Sequence, residues 1–255
     1  MSDFRVVVTG AANGIGKAAV ELMSATGAKI YAVDHDAEAL ERLELEVKSS
    51  GGAIAVGVAD VSDSEQVQAY VERAVSHLGS IDGFFNNAGV VGQLAPLLSY
   101  PDEVFDRVIA VNLRGVFLGL KYVLRVMSAQ KSGSIVNMAS VAGLVGHVDH
   151  GGYVVSKHAV VGLTRVAGAE AAPFGVRVNA VAPGPVRTAM IEAIEEMKSP
   201  LDAELERSRL LANIPAGRYG TVEEVAKAVR FLLMGESTYL NGSVLTIDGG
   251  FTAIR

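Results

Sequence analysis

The sequence predicts an α/β fold, a doubly wound parallel sheet with helices on both faces, and three observations carry that expectation. Short apolar or β-branched runs alternate with helical periods along the chain. A glycine-rich turn follows the first run directly. The chain has 255 residues, half of them apolar, which is enough to close a sizeable core.

The expected strands lie at 6–8, 30–33, 53–58, 81–85, 134–138, 177–182 and 244–247, each bounded by Gly, Asp or Asn. Between them, apolar residues recur at helical spacing: Ile15, Ala18, Ala19 and Leu22; Val67, Val71, Val75 and Leu78; Leu113, Val116, Phe117, Leu120, Leu124 and Met127; Val225, Ala228, Val229 and Leu232. Ser62 with Glu65 and Thr221 with Glu224 have the spacing of capping boxes, which predicts two helix starts. Repeated strand–helix units make the sheet parallel. No linker or internal repeat interrupts the order, so one domain is expected over residues 1–255. Residues 185–213 contain no strand and mix Met190, Ile191, Ile194, Met197, Leu201 and Leu205 with many charges. A connection of that length in a compact domain is commonly functional. It reads as a helical lid over a substrate, with a surface insertion packed on its own domain as the alternative.

The formal net charge is −6, and no two Lys or Arg residues are adjacent, which argues against a basic stripe for nucleic acid. The absence of cysteine excludes disulfides, thiolate metal sites and a cysteine nucleophile, and a cytoplasmic location is expected. The run after Met1-Ser2-Asp3-Phe4-Arg5 is too short for a signal peptide, and no stretch reaches the ~18 apolar residues of a membrane span, so no membrane partner is expected.

The first strand runs into Thr9-Gly10-Ala11-Ala12-Asn13-Gly14-Ile15-Gly16 and then a helix. Backbone N–H groups and the helix dipole there form a cradle for a pyrophosphate, and the glycines let it approach. The alternative is a turn that needs glycine for backbone geometry alone. Asp34 ends the second strand, where a carboxylate can accept both ribose hydroxyls and repel a 2′-phosphate. Its neighbours Asn13, His35 and Asp36 carry no fixed positive charge, so NAD is expected over NADP; otherwise Asp34 caps the next helix. Asp60-Val61 and Asn86-Asn87-Ala88-Gly89 follow the third and fourth strands, at the edge where doubly wound sheets bind ligands. Asp60 can accept an adenine amino group, although Asp and Asn also serve loops through their own backbone hydrogen bonds. On the same edge Ser140 follows the fifth strand, and Tyr153 and Lys157 share one face of the helix opened by Gly151-Gly152. Asn112 is expected at the start of an earlier helix.

In this order the glycine turn, Asn86-Asn87-Ala88-Gly89, Asn112, Ser140, Tyr153 with Lys157, Pro183-Gly184 with Thr188, and Asp248-Gly249-Gly250 resemble the short-chain dehydrogenase/reductase family over essentially the whole chain. The resemblance implies a Rossmann fold with seven strands ordered 3-2-1-4-5-6-7 and hydride transfer between a nicotinamide and an alcohol or carbonyl. It implies catalytic roles for Asn112, Ser140, Tyr153 and Lys157. Tyr153 is the proton-transferring phenol, its pKa expected to be pulled down by the Lys157 cation. Ser140 holds the substrate oxygen, Asn112 anchors a relaying water, and Lys157 also holds the nicotinamide ribose. Implied cofactor contacts are Gly10, Asn13, Gly14, Ile15, Gly16, Asp34, Asp60, Val61, Asn87, Ala88, Gly89, Tyr153, Lys157, Pro183, Gly184, Val186 and Thr188.

A finer likeness, carried by 157–165, Arg218-Tyr219-Gly220 and 248–254, is to bacterial NAD-dependent cyclic alcohol and diol dehydrogenases and levodione-reductase-like enzymes. With Val90, Val91, Leu144 and Met190 expected near the pocket, it implies a small, largely apolar substrate with one reacting oxygen. Reduction of 3-ketoacyl groups on a carrier protein and a non-catalytic NAD(H) sensor or scaffold are the alternatives. His147-Val148-Asp149-His150 offers ligand types but no second cluster to complete a metal site, so no metal is expected. A pocket hydrogen bond from either histidine and a solvated loop both remain open. Long helices beginning near Leu113 and Tyr153 are apolar on more than one side, which predicts burial against further copies, and the family likeness implies a homotetramer.

Overall fold

The computed structural model describes residues 4–199 and 201–254; Met1, Ser2 and Asp3, on which part of the N-terminal expectation rests, lie outside the described residues. Seven strands form one sheet: β1 (Arg5–Thr9), β2 (Lys29–Asp34), β3 (Ala53–Val58), β4 (Gly83–Asn86), β5 (Gly133–Met138), β6 (Val176–Pro183) and β7 (Val244–Ile247). Their order is β3-β2-β1-β4-β5-β6-β7, and every neighbouring pair is parallel. The expected strands are all present, with β4 beginning two residues late.

Nine helices surround the sheet among the described residues: α1 (Gly14–Ala25), α2 (Ala37–Ser49), α3 (Ser64–Leu78), α4 (Asp102–Ile109), α5 (Gly115–Gln130), α6 (Gly151–Ala171), α7 (Ala189–Lys198), α8 (Ala203–Ala212) and α9 (Val222–Leu233). The two-residue period of the strands divides the core into two layers. Val6 and Val8 of β1 join Ile30, Phe85 and Val181 in packing against Val20 and Met23 of α1, Leu40 and Leu43 of α2, and Val229 and Leu232 of α9. Val7 points the other way and joins Phe84, Ile135 and Val178 against Tyr70 of α3, Val116 and Leu120 of α5, and Val160 of α6. Among the described residues no helix is long and apolar enough to cross a membrane.

The capping box at Thr221 and Glu224 is present, with both reciprocal bonds made. The one expected at Ser62 and Glu65 is not. Asp63 caps α3 instead, accepting from Glu65 and Gln66 N–H, because the Ser62 hydroxyl is taken by Asp60 Oδ1 at 2.7 Å. Asn112 does not open a helix either: it lies in a π-helical stretch, Ala110–Arg114, that joins α4 to α5 without a break. A wider turn of this kind re-aims the side chains on it.

One polar chain crosses the second core layer. Asn86 Nδ2 donates to Val116 O at 3.0 Å and to Asn137 Oδ1 at 3.2 Å; Asn137 Nδ2 donates to Thr164 Oγ1 at 3.0 Å; the Thr164 hydroxyl donates to Val160 O at 2.8 Å. All three side chains are buried, and together they fix β4 and β5 against α5 and α6. Asn137→Ala leaves a buried donor and acceptor unpaired, a loss of about 2 kcal/mol. The thermal midpoint should fall by about 4–8 °C in a chain of this size. A shift below about 2 °C in a circular-dichroism melt would show that the chain carries no such stability.

Candidate active site

Strand order reverses between β1 and β4, where a doubly wound sheet opens a crevice at its carboxyl edge. Both strands end there in loops that are tied together. Asn87 Nδ2 donates to Thr9 O and Gly10 O, each at 3.0 Å, and Asn87 and Ala88 N–H donate to Thr9 Oγ1 at 3.0 and 3.3 Å. Gly10 has φ +60°, and a Cβ there would lie 2.9 Å from Ala88 Cα. At Gly16 a Cβ would stand 1.9 Å from Gly10 O, so the turn closes only with glycine at that position.

Several helices among the described residues have a side chain capping their first turn, Asp36, Asp63, Thr188, Asp202 and Thr221 among them. Helix α1 differs. Asn13 makes no side-chain cap and no acidic residue occupies the first turn, so the N–H groups of Gly14, Ile15 and Gly16 face the crevice without a carboxylate competitor. Across the crevice stands the segment after β6: a Cβ on Gly14 would be 3.6 Å from Thr188 Cγ2. Gly184 N–H bonds to Ile247 O at 3.0 Å, Val186 is buried, and Thr188 caps α7.

Asp34 is buried at the end of β2. Its carboxylate accepts from Ala12 N–H at 3.0 Å, His35 N–H at 2.8 Å and Asp36 N–H at 3.2 Å. It does not cap α2; Asp36 does. Asp60 accepts from the backbone and hydroxyl of Ser62 through Oδ1 and stands 3.5 Å from Arg107 through Oδ2. These bonds hold its carboxyl below the usual range, against the opposing effect of burial. Val61 is buried against Gly115. An open α1 terminus, a turn that admits only glycine and a fixed carboxylate at the end of β2 fit a dinucleotide.

Ser140, Tyr153 and Lys157 meet at the end of β5. Ser140 opens a short 3₁₀ turn, Val141–Gly143, by accepting from Ala142 N–H at 3.1 Å. A Cβ on Gly143 would be 2.7 Å from Lys157 O, so that glycine lets the turn lie directly on α6. Lys157 is buried; its Nζ donates to Met138 O at 2.8 Å and sits 5.5 Å from the Tyr153 ring centroid. Its other donors have no partner among the described residues. Burial lowers the Lys157 pKa to about 8. The Tyr153 phenol is pushed up by burial, with the Ser140 hydroxyl beside it working the other way. That overturns the expectation of a phenol pulled down by Lys157: the ammonium points at a carbonyl and lies over the ring, so desolvation dominates.

Asn112 is fully buried. It accepts from Val90 N–H and donates to Val90 O, both at 2.8 Å, and donates to Ser156 Oγ at 3.1 Å. Both of its side-chain N–H donors are therefore taken by protein, which leaves the expected water only an acceptor on this side chain. Gly89 lies between the two groups: a Cβ there would be 3.2 Å from Asn112 Oδ1 and 3.5 Å from Lys157 Nζ. Gly143, Ser156 and Glu195 carried no sequence signal; Glu195 accepts from the Tyr219 hydroxyl at 2.6 Å, with both residues buried. Of the expected lid residues, Ile191 packs near Val141, Ile214, Tyr219 and Phe251, whereas Met190 is exposed. Among the described residues no group of three or more histidine or acidic side chains could hold a metal ion.

A sequence family described as enoyl-(acyl carrier protein) reductase matches residues 10–252. Levodione reductase of Leifsonia aquatica is 42% identical over 254 residues, 99% of this chain and 95% of that one. The 2,5-dichloro-2,5-cyclohexadiene-1,4-diol dehydrogenase of Sphingobium indicum is 41% identical over 255 residues, 100% of this chain and 99% of the other. A crystal structure of levodione reductase superposes with a TM-score of 0.98 at 41% identity, covering 100% of both chains. The fold and the crevice define a nicotinamide-dependent oxidoreductase acting on CH–OH and C=O groups. The chain belongs to the short-chain dehydrogenase/reductase family.

Lys157 gives a test that does not depend on substrate. A lysine with a folded pKa near 8 and an unfolded one of 10.5 holds fewer protons folded than unfolded between those values, so its burden on stability is full below pH 8 and lifts as pH rises. Lys157→Met should melt a few degrees higher than wild type at pH 7, and the difference should shrink above pH 8. A variant that melts lower at pH 7 would show that the buried ammonium is not a stability burden.

Proposed function

We propose that this chain interconverts a secondary alcohol on a small, largely apolar ring with its ketone, using NAD(H). The observation that carries the cofactor choice is Asp34: a buried carboxylate fixed by three backbone N–H groups where a 2′-phosphate would otherwise go. Gly10, Asn13, Gly14, Ile15 and Gly16 would hold the pyrophosphate, Asp34 the ribose hydroxyls, and Asp60 and Val61 the adenine. Asn87, Ala88 and Gly89 would line the middle of the crevice, with Tyr153, Lys157, Pro183, Gly184, Val186 and Thr188 at the nicotinamide end. When bound, the dinucleotide supplies the hydride acceptor or donor.

The chain's own residues then manage the substrate oxygen. Tyr153 delivers the phenol proton, which burial favours, to a carbonyl oxygen in reduction; in oxidation its phenolate takes the proton from the substrate hydroxyl. Ser140 orients that oxygen. Lys157 would hold a ribose hydroxyl of the dinucleotide with its remaining donors. Asn112 is a positioning residue that fixes Val90 and Ser156. The ring-alcohol assignment is supported by the half-buried Val90 and Val91 and by the printed activities of the relatives above.

We read residues 1–255 as one catalytic domain in which 185–213 forms the lid, supported by the packing of Ile191 near Val141, next to Ser140. A cytoplasmic homotetramer is part of the same reading. It is supported by Phe117, Val155 and Val166, which leave apolar surface about half exposed on α5 and α6. The experiment is steady-state oxidation of cyclic alcohols with each cofactor. The expected result is a kcat/KM for NAD+ at least about tenfold above that for NADP+, with Asp34→Ala narrowing the gap. Equal values in the wild type would overturn the cofactor assignment.

A further inference from the structure

His150 stands three residues before Tyr153, as the N-cap residue of α6. The backbone holds it there. Asp149 adopts φ +67°, a left-handed conformation that Asp tolerates, and its carbonyl accepts from Ala95 N–H at 3.0 Å, while Ala95 bridges to His150 as a parallel pair. The His150 side chain is 8% exposed. Its Nδ1 lies 2.7 Å from Val148 O, and since a carbonyl only accepts, Nδ1 carries the hydrogen. Nε2 is then a bare acceptor.

That acceptor is not used by the protein. Nε2 has no partner among the described residues, and the side-chain polar atoms that are both sealed and unpartnered are Ser80 Oγ, Tyr100 Oη and Arg230 Nε. Nε2 therefore reaches accessible space although its ring is buried. The His147 ring lies 5.9 Å away, and it stacks on Phe251 at 5.8 Å and 20°. Phe251 belongs to the cluster of Val141, Tyr219 and Ile191 that runs from Ser140 to α7. Burial, and after it the Lys198 charge, lower the His150 pKa, with the Val148 bond and Asp149 opposing.

We propose that His150 is a specificity-determining residue whose Nε2 accepts a hydrogen bond from a second hydroxyl of the substrate, so that the ring alcohol this site takes is a diol or a hydroxyketone. The proposal rests on the ring-alcohol reading above. It distinguishes a second hydroxyl, which can donate to Nε2, from a second carbonyl, which cannot.

The test compares kcat/KM for cyclohexanol and for cyclohexane-1,2-, 1,3- and 1,4-diol with NAD+ in wild type, His150→Phe and His150→Gln. The ratio of the best diol to cyclohexanol should fall about 10- to 100-fold in His150→Phe, because a lone hydroxyl then faces an apolar wall. His150→Gln, whose amide oxygen accepts, should recover part of that ratio. NADH binding by fluorescence checks that each variant is folded, and His150→Leu carries the same test should His150→Phe not fold. Turnover with a ratio within about threefold of wild type in the Phe or Leu variant overturns this inference alone. Wild-type enzyme that oxidises none of the four alcohols overturns the ring-alcohol reading, and this inference with it.

Discussion

The rest of the site depends on the close approach of two loops 77 residues apart in sequence, the glycine turn after β1 and the asparagine loop after β4. The Asn87 amide bonds to the carbonyls of Thr9 and Gly10, and that approach is open only because Gly10 and Gly16 lack side chains. With the turn pinned, the uncapped terminus of α1 is held toward the crevice where the strand order reverses. A buried hydrogen bond of this kind adds about 1 kcal/mol to stability, but its larger effect is to fix where the N–H groups of Gly14, Ile15 and Gly16 point.

The second constraint is the placement of Lys157. The chain buries an ammonium against one carbonyl, Met138 O, and lowers its pKa to about 8, which is unfavourable for folding at neutral pH. The surrounding structure is built to hold it nonetheless. Gly143 lets the Ser140 turn lie on the Lys157 backbone, and Asn112 fixes Val90 and Ser156 beside it. The Asn86–Asn137–Thr164 chain ties the underlying strands to α5 and α6. Stability given up at one residue is offset by satisfied polar groups around it, as is common where chemistry requires a strained or desolvated group.

Much of this was legible from local pattern. All seven strands were marked by apolar runs with Gly, Asp or Asn at their ends, and the glycine turn by its position directly after the first. Where local chemistry was ambiguous, the outcome followed a competing partner. Ser62 had the spacing of a cap, but Asp60 captured its hydroxyl and the adjacent Asp63 took the role. Asn112 was expected to open a helix, and no residue pattern announces the π-helical turn that carries it. Contacts between distant segments left no trace in the sequence. Glu195 and Tyr219 are 24 residues apart and find each other only when α7 folds back toward the C-terminal segment. The direction of the Tyr153 pKa was also beyond sequence, because burial and the aim of a lysine are set by tertiary packing.

Direct hydride exchange between a ring carbinol and NAD at the Ser140, Tyr153 and Lys157 cluster is the proposed reaction. The most direct measurement follows deuterium from cyclohexanol and cyclohexanediols labelled at the carbinol carbon, by mass spectrometry of the dinucleotide after incubation with NAD+. The account predicts singly deuterated NADH with wild type, and none with a Tyr153→Phe variant that still binds NADH. Unlabelled NADH from the labelled alcohols, or label transfer that persists undiminished in Tyr153→Phe, would contradict it.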